Sequence, residues 1–305
     1  MLIIILAIGA IIRSTYGSFL SLQENFWFVF LSSINIFLFF LLAKKLFCNQ
    51  LIALFLTFIF SILPWHIQFS RFEKGQTIAL ILTNIFFLVI YRGKKRPSFN
   101  EIFLALILFI LLVNQALLIL PSLILTTTRP QISNLPLPLD KQEIERIKIY
   151  RGFLNPINPT FSRLYSNKAT AVLKNLKINF FEAADINNYF FANHPLERVG
   201  VKENEKFYSG LLPLFILGLL YLKFSTDGPI ILWACFLFSL SSFLSNRYFG
   251  ISSLLILPFL LIIGRGLEKI MGIQRFQKKL IILLPTFIWL TLEIIIFGLR
   301  SDIFF

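Results

Sequence analysis

Apolar residues in this chain come in long unbroken runs, and the polar and charged residues are gathered between the runs. A bilayer's hydrocarbon core is about 30 Å thick. A helix that crosses it needs about 17–25 mostly apolar residues, because lipid offers no partner to a backbone amide. On that template the chain predicts nine spans: 2–12, Phe26–Ala43, Leu51–Leu63, Thr77–Tyr91, Ile102–Leu125, Phe207–Leu222, Pro229–Leu244, Ile251–Gly264 and Leu280–Phe297. Pro121 is placed to kink or finish the fifth. The first run starts at Met1 with no basic residue ahead of it, so it reads as a short first span and not as a cleaved signal peptide. Its shortness leaves two readings open: it leans on neighbouring helices, or the true start lies upstream.

The polar segments between the runs assign sides. Short loops on one face carry Lys44, Lys45, Arg92, Lys94, Lys95, Arg96, Lys223, Arg265, Lys269, Arg275, Lys278 and Lys279, twelve basic residues. Those on the other carry Arg13, Arg71, Lys74, Arg247 and Arg300, five. By the positive-inside rule the first face is cytoplasmic. The expected topology has its N-terminus in the cytoplasm and its C-terminus outside.

Residues 126–206 interrupt the apolar pattern and hold 12 of the 29 Lys and Arg. Long loops cross a membrane largely regardless of charge, so the order of the spans, and not this basic content, places them outside. Pro130, Pro136 and Pro138 mark an extended linker. Glu143–Tyr150 then sets Ile144, Ile147 and Tyr150 near one helical face, and Ser162–Phe181 predicts a second, basic amphipathic helix. Such helices lie along the headgroup boundary or pack on one another as a small cap. The chain thus divides into helices one to five (1–125), an extracytoplasmic helical insertion (126–206) and helices six to nine (207–305). No internal repeat or inverted pair of broken helices appears.

Composition agrees: 57% hydrophobic and only 14% charged residues exclude an ordinary soluble domain. The expected class is an all-α, polytopic membrane protein. A net charge of +14 scattered among spans suits anionic membrane lipids, and nucleic acid is set aside as a partner. Cys48 and Cys235 sit in or beside apolar runs and read as small buried hydrophobes, not as a disulfide framework or zinc site. No Gly-rich phosphate loop, Ser-His-Asp arrangement or Cys-x-x-Cys pair occurs, which disfavours nucleotide-dependent chemistry.

The densest candidate chemistry lies between the third and fourth runs, in Pro64-Trp65-His66-Ile67-Gln68-Phe69-Ser70-Arg71-Phe72-Glu73-Lys74. This stretch resembles the Trp-His-x-x-x-Ser-Arg signature of bacterial GT-C membrane glycosyltransferases, of the protein-O-mannosyltransferase and aminoarabinose-transferase kind. Weaker echoes are Ser162-Arg163-Leu164-Tyr165-Ser166-Asn167-Lys168, Asn188-Tyr189-Phe190-Phe191, Leu212-Pro213-Leu214-Phe215 and Asn246-Arg247-Tyr248. The resemblance touches residues 25–90 and 160–265.

What the resemblance implies is transfer of a sugar from a polyprenyl-phosphate donor to an acceptor, lipid, glycan or protein, at the outer face of the cytoplasmic membrane. A departing lipid phosphate needs fixed positive charge, which a guanidinium supplies through paired charge-assisted hydrogen bonds. That role falls to Arg71, with His66, Lys74, Arg198 and Arg247 as further substrate-binding residues. Members of the family carry an acid in the first large outer loop, as general base or as ligand to a divalent metal ion. Here that loop is Arg13–Asn25, with Glu24 its sole acid, and Glu73 is the other acid near the motif. This departure, with fewer spans than the family has, marks a truncated or degenerate member.

On side-chain chemistry alone, Glu24 reads as a helix-start charge and Glu73 as a surface partner of Lys74 or Arg71. His66 reads as an interfacial anchor beside Trp65, and His194 as part of a solvated turn. The two histidines are too separated to make a metal site by themselves. Glu293, late in the last run, is an expensive group in lipid whose ordinary outlet is water or Arg300. Two other functions fit the same pattern. One is a non-catalytic lipid-phosphate-binding or assembly protein of this fold. The other is a transporter of lipid-linked sugars, which needs polar residues facing one another deep in the bundle.

Overall fold

In the computed structural model the described residues are 1–16, 22–67, 74–91, 141–156, 158–191, 206–225, 227–241, 254–274 and 276–299. All regular structure among them is helical. The elements in order are α1 Leu2–Tyr16, α2 Leu22–Leu46, α3 Gln50–Ile62, α4 Lys74–Ile90, α5 Lys141–Leu154, α6 Pro159–Tyr165, α7 Lys168–Ala184 and α8 Asn187–Phe190. A 3-10 turn Ser209–Leu211 follows, then α9 Leu212–Leu222, α10 Gly228–Ser241, α11 Ile256–Met271 and α12 Phe276–Leu299. Eight of the nine apolar runs fall on α1–α4 and α9–α12; the fifth, Ile102–Leu125, lies outside the described residues.

Nine full-length spans were the expectation, yet among the described residues two helical stretches are long and apolar enough to cross a membrane, Val29–Leu46 and Lys279–Ile296. The others stop early for local reasons. α3 starts at the N-cap Asn49, whose side chain accepts a hydrogen bond from Leu51 N at 2.9 Å. It ends at Leu63, driven to extended geometry (φ −62°, ψ 125°) by Pro64 behind it. Its 13 residues make a rod of about 20 Å, shorter than a hydrocarbon core. Helical geometry resumes at 64–67, with proline at a first-turn position where no N–H is missed. This break is what swings Trp65 and His66 away from the line of α3.

The insertion differs from its expected form in one place. The single helix predicted over Ser162–Phe181 is two, α6 and α7, divided at Asn167. Asn167 Oδ1 accepts from Thr170 N at 2.8 Å while Asn167 N donates to Thr170 Oγ1 at 3.1 Å, a reciprocal cap that starts a new helix. Arg151 of α5 donates through Nε and Nη2 to the Ser166 carbonyl at 3.2 and 2.8 Å, closing the end of α6. Tyr150, expected on the apolar stripe with Ile144 and Ile147, is exposed while those two are half-buried.

α11 is the axis of the bundle. Twelve of its 16 residues are buried, the apolar run Ile256–Gly264 throughout, with Arg265, Glu268 and Lys269 confined to its last turns. α9 packs against it with almost no space between backbones: a Cβ on Gly218 would lie 1.9 Å from the Ile262 carbonyl oxygen, and one on Gly266 2.0 Å from that of Leu214. Small residues permit such approach between helices where lipid removes any hydrophobic preference for contact. The N-terminal helices join the same core, with Phe47 and Leu56 against Gly264 and Phe87 edge-on to Phe238.

α12 is the opposite case. Only 11% of Lys279–Ile296 is buried inside the structure. Ile281, Leu284, Ile288 and Ile295 are all more than half exposed, which is tolerable only under an apolar cover. One of its polar groups is satisfied internally: Glu293 accepts from Ser209 N (3.1 Å), Gly210 N (2.9 Å) and Ser209 Oγ, and Arg300 lies outside the described residues. The carboxylate caps the 3-10 turn that opens α9, where exposed N–H groups favour an anion.

The bundle has two chemically distinct ends. At the basic end, where α2, α4, α9 and α11 finish, Arg265 pairs with Asp227 and Glu268 and lies 5.0 Å over the Phe47 ring. Cys48, expected to be buried, is exposed there, because α2 stops at Leu46 and the chain turns outward before Asn49. At the aromatic end α3 finishes and α2, α4, α9 and α11 begin.

Candidate functional site

Local sequence explains why the aromatic end is closed. Trp65, on the turn restarted by Pro64, meets the Tyr189 ring of α8 at 5.5 Å and Phe207 at 6.3 Å. Tyr189 packs edge-on to Phe259 of α11 at 4.8 Å, and Phe190 lies 5.3 Å from Phe215 of α9. Phe207 N donates to the Tyr189 carbonyl at 2.7 Å, and Tyr208 Oη donates to the Ile62 carbonyl at 2.8 Å in the last turn of α3. Three stretches far apart in the chain are thereby fastened into one aromatic floor. Burial pushes the Tyr189 phenol well above the usual tyrosine range, with Cys235 and Asp185 adding to the effect, so it remains neutral. Lys206 holds its ammonium 5.3 Å from the Trp65 ring and 5.2 Å from that of Tyr189, a cation kept on aromatic faces.

His66 takes a different place from the one the sequence suggests. It is no interfacial anchor: the ring is fully buried and stacks on Phe60 at 4.1 Å. Asn84 Nδ2 donates to Asn35 Oδ1 at 2.7 Å, which leaves the Asn35 amide nitrogen to donate to His66 Nε2 at 3.2 Å. The order of the chain makes Nε2 the acceptor. Asn84 Nδ2 also reaches the Leu80 carbonyl at 3.2 Å, while Asn84 Oδ1 and Ser32 Oγ are buried with no hydrogen-bond partner among the described residues. His66 is thus held inside the bundle by Asn35 and Phe60, on the turn that precedes residues 68–73. Asn35 and Asn84 were not singled out from sequence; the signal was a lone amide inside each of two apolar runs. Asn35→Leu is expected to cost about 2 kcal/mol, because it removes two buried hydrogen bonds, to His66 and from Asn84, and Asn84→Leu about 1 kcal/mol. Thermal unfolding of the two variants in detergent checks the order.

The other expected residues sort as follows. Glu24 lies in the first turn of α2 and Lys74 is the first residue of α4. Arg71, Glu73, Arg198, Arg247 and His194 lie outside the described residues. The described residues that flank them are nevertheless informative. Ile67 and Lys74 bracket Arg71 and Glu73, Phe191 and Lys206 bracket Arg198, and Ser241 and Leu254 bracket Arg247. Each of these flanks belongs to the aromatic end, as does the start of α2 with Glu24. Lys206 is the addition that sequence reasoning missed; a lysine directly ahead of Phe207-Tyr208 was its only mark.

Among the described residues no group of three His, Cys, Asp or Glu could hold a metal ion. Among the described residues the arrangement sets the Lys206 ammonium on an aromatic floor of Trp65 and Tyr189. Comparison with known proteins returns no matching family model, no matching curated protein and no matching solved structure.

Proposed function

We propose that the chain is a nine-pass protein of the cell inner membrane that transfers a sugar from a polyprenyl-phosphate carrier to an acceptor at the outer face. The observation that supports this reading is that the described parts of three stretches resembling a GT-C glycosyltransferase, Pro64–Ile67, Asn188–Phe191 and Leu212–Phe215, meet at the aromatic end. The opposite end carries Lys44, Lys45, Lys223, Arg265 and Lys269 and faces the cytoplasm on the positive-inside rule. Residues 126–206 then cap the outer face.

In the reaction an acceptor hydroxyl attacks the anomeric carbon, the bond from that carbon to the phosphate oxygen breaks, and polyprenyl phosphate departs with the electron pair. Arg71 stabilises the departing phosphate, aided by Lys74, Arg198, Arg247 and the newly located Lys206. Glu24 or Glu73 takes the acceptor proton. A divalent ion, where one is bound, would lie with these acids.

The test is transfer of labelled sugar from a polyprenyl-phosphate donor by detergent-purified protein. Arg71→Ala is expected to lower the rate about a hundredfold, and comparison of Glu24→Gln with Glu73→Gln identifies the base. Transfer indifferent to Arg71→Ala overturns the site. One observation favours a second reading. The polar trio Asn35, His66 and Asn84 faces inward between helices, as a transporter of lipid-linked sugars requires. Movement of the intact donor across vesicles without transfer would decide for it.

A further inference from the structure

The basic end holds a cleft of about 480 Å³ between the last turns of α9 and α11. Tyr221, Phe224 and Ser225 form one wall, and Arg265, Lys269 and Gly272 the other. Arg265 is neutralised within its wall by Asp227 and Glu268. Lys269 is not: it is exposed, its ammonium lies 4.4 Å from the Tyr221 ring centroid, and among the described residues no carboxylate pairs with it. Lys223, next in sequence to the wall residue Phe224, holds its ammonium 4.8 Å from that ring. Glu268, which also lines the cleft, is already engaged by Arg265.

From this cleft an uncovered apolar track runs back along α9. Ile216 and Leu220 are 48% and 60% exposed at helical i, i+4 spacing, and Phe224, just past the helix end, continues the line at 72%. The track is about 12 Å long, most of the depth of one leaflet, which is about 15 Å, half of a hydrocarbon core. Cationic rim, cleft and apolar track together fit one occupant, a lipid whose phosphate meets Lys269 and Lys223 while an acyl chain lies on Ile216 and Leu220. We propose that this cleft is a specific site for an anionic phospholipid of the leaflet at the basic end. The proposal rests on the membrane reading and is independent of sugar transfer.

Native mass spectrometry of the detergent-purified protein, offered equal phosphatidylglycerol and phosphatidylcholine, reads the site directly. The wild type is expected to retain the anionic lipid about tenfold better, and Lys269→Ala to lower its retention about fivefold. Lys269→Arg restores retention, Phe224→Ser weakens it with charge unchanged, and Lys45→Glu, at the same end but off the cleft, leaves it intact. Equal retention of both lipids overturns the proposal, and so does an equal loss in Lys45→Glu, the mark of a diffuse charge field. Displacement by millimolar inorganic phosphate also overturns it, because the acyl chain would then contribute nothing. Recovery of the protein from the aqueous phase without detergent would defeat the membrane reading itself, a result distinguishable from lost selectivity.

Discussion

Gly266→Ala is expected to destabilise the bundle by about 3 kcal/mol or more, although alanine is the better helix former by about 1 kcal/mol. The reason is the nature of what the new methyl group meets. Its Cβ would lie 2.0 Å from the Leu214 carbonyl oxygen and 3.0 Å from Gly218 N, both backbone atoms that cannot rotate away. α9 and α11 must then separate along their tightest contact, and every side chain interleaved around the α11 axis loses neighbours. Gly152 in α5 supplies the control, because a Cβ there meets nothing within 4 Å. Gly152→Ala is expected to be neutral or to stabilise by about 0.5–1 kcal/mol. Thermal unfolding in detergent, followed by circular dichroism, compares the pair; similar shifts in both would show that the α9–α11 contact is looser than described.

Arg265→Ala is expected to cost about 3 kcal/mol, the lower end of the range for breaking a buried ion pair, since the Asp227 side chain is 22% exposed. The guanidinium makes four contacts at once: Asp227 ahead of α10, Glu268 on its own helix, the Leu46 carbonyl at the end of α2, and the Phe47 ring just past it. Its removal leaves two carboxylates facing each other in a poorly hydrated place. Desolvation and not attraction then governs the outcome, so a triple variant with Asp227→Asn, Arg265→Met and Glu268→Gln is expected to recover most of the loss. If Arg265→Ala melts within a degree of wild type, the cluster is hydrated and contributes little.

Positions of helices were far more legible in the sequence than their lengths. Apolar runs located α1–α4 and α9–α12 because each buries or exposes a face that only apolar side chains can form. Their ends were set by single residues that a hydropathy pattern averages away: Pro64 cutting α3, Asn167 dividing α6 from α7, Asn49 opening α3. The grouping of charges by side was legible as well, and Arg265, Lys269, Lys223 and Lys44 do gather at one end. Pairings across the chain were not. Nothing in spacing tells that Asn35 will meet His66, or that Glu293 will find Ser209, because these contacts depend on how separate helices rotate about their axes. His66 shows the hazard: a histidine beside tryptophan at a helix end looks interfacial, yet Pro64 turns it inward.

The carboxylate of Glu293 bears on how the molecule is made. Its partners, Ser209 and Gly210, precede Glu293 by 84 and 83 residues and leave the ribosome first. On the membrane reading proposed above, α12 would then meet a dock already synthesised for a group that is expensive to carry into lipid unaccompanied. Insertion of α12 would in this way follow the folding of the preceding segments, an order set by synthesis.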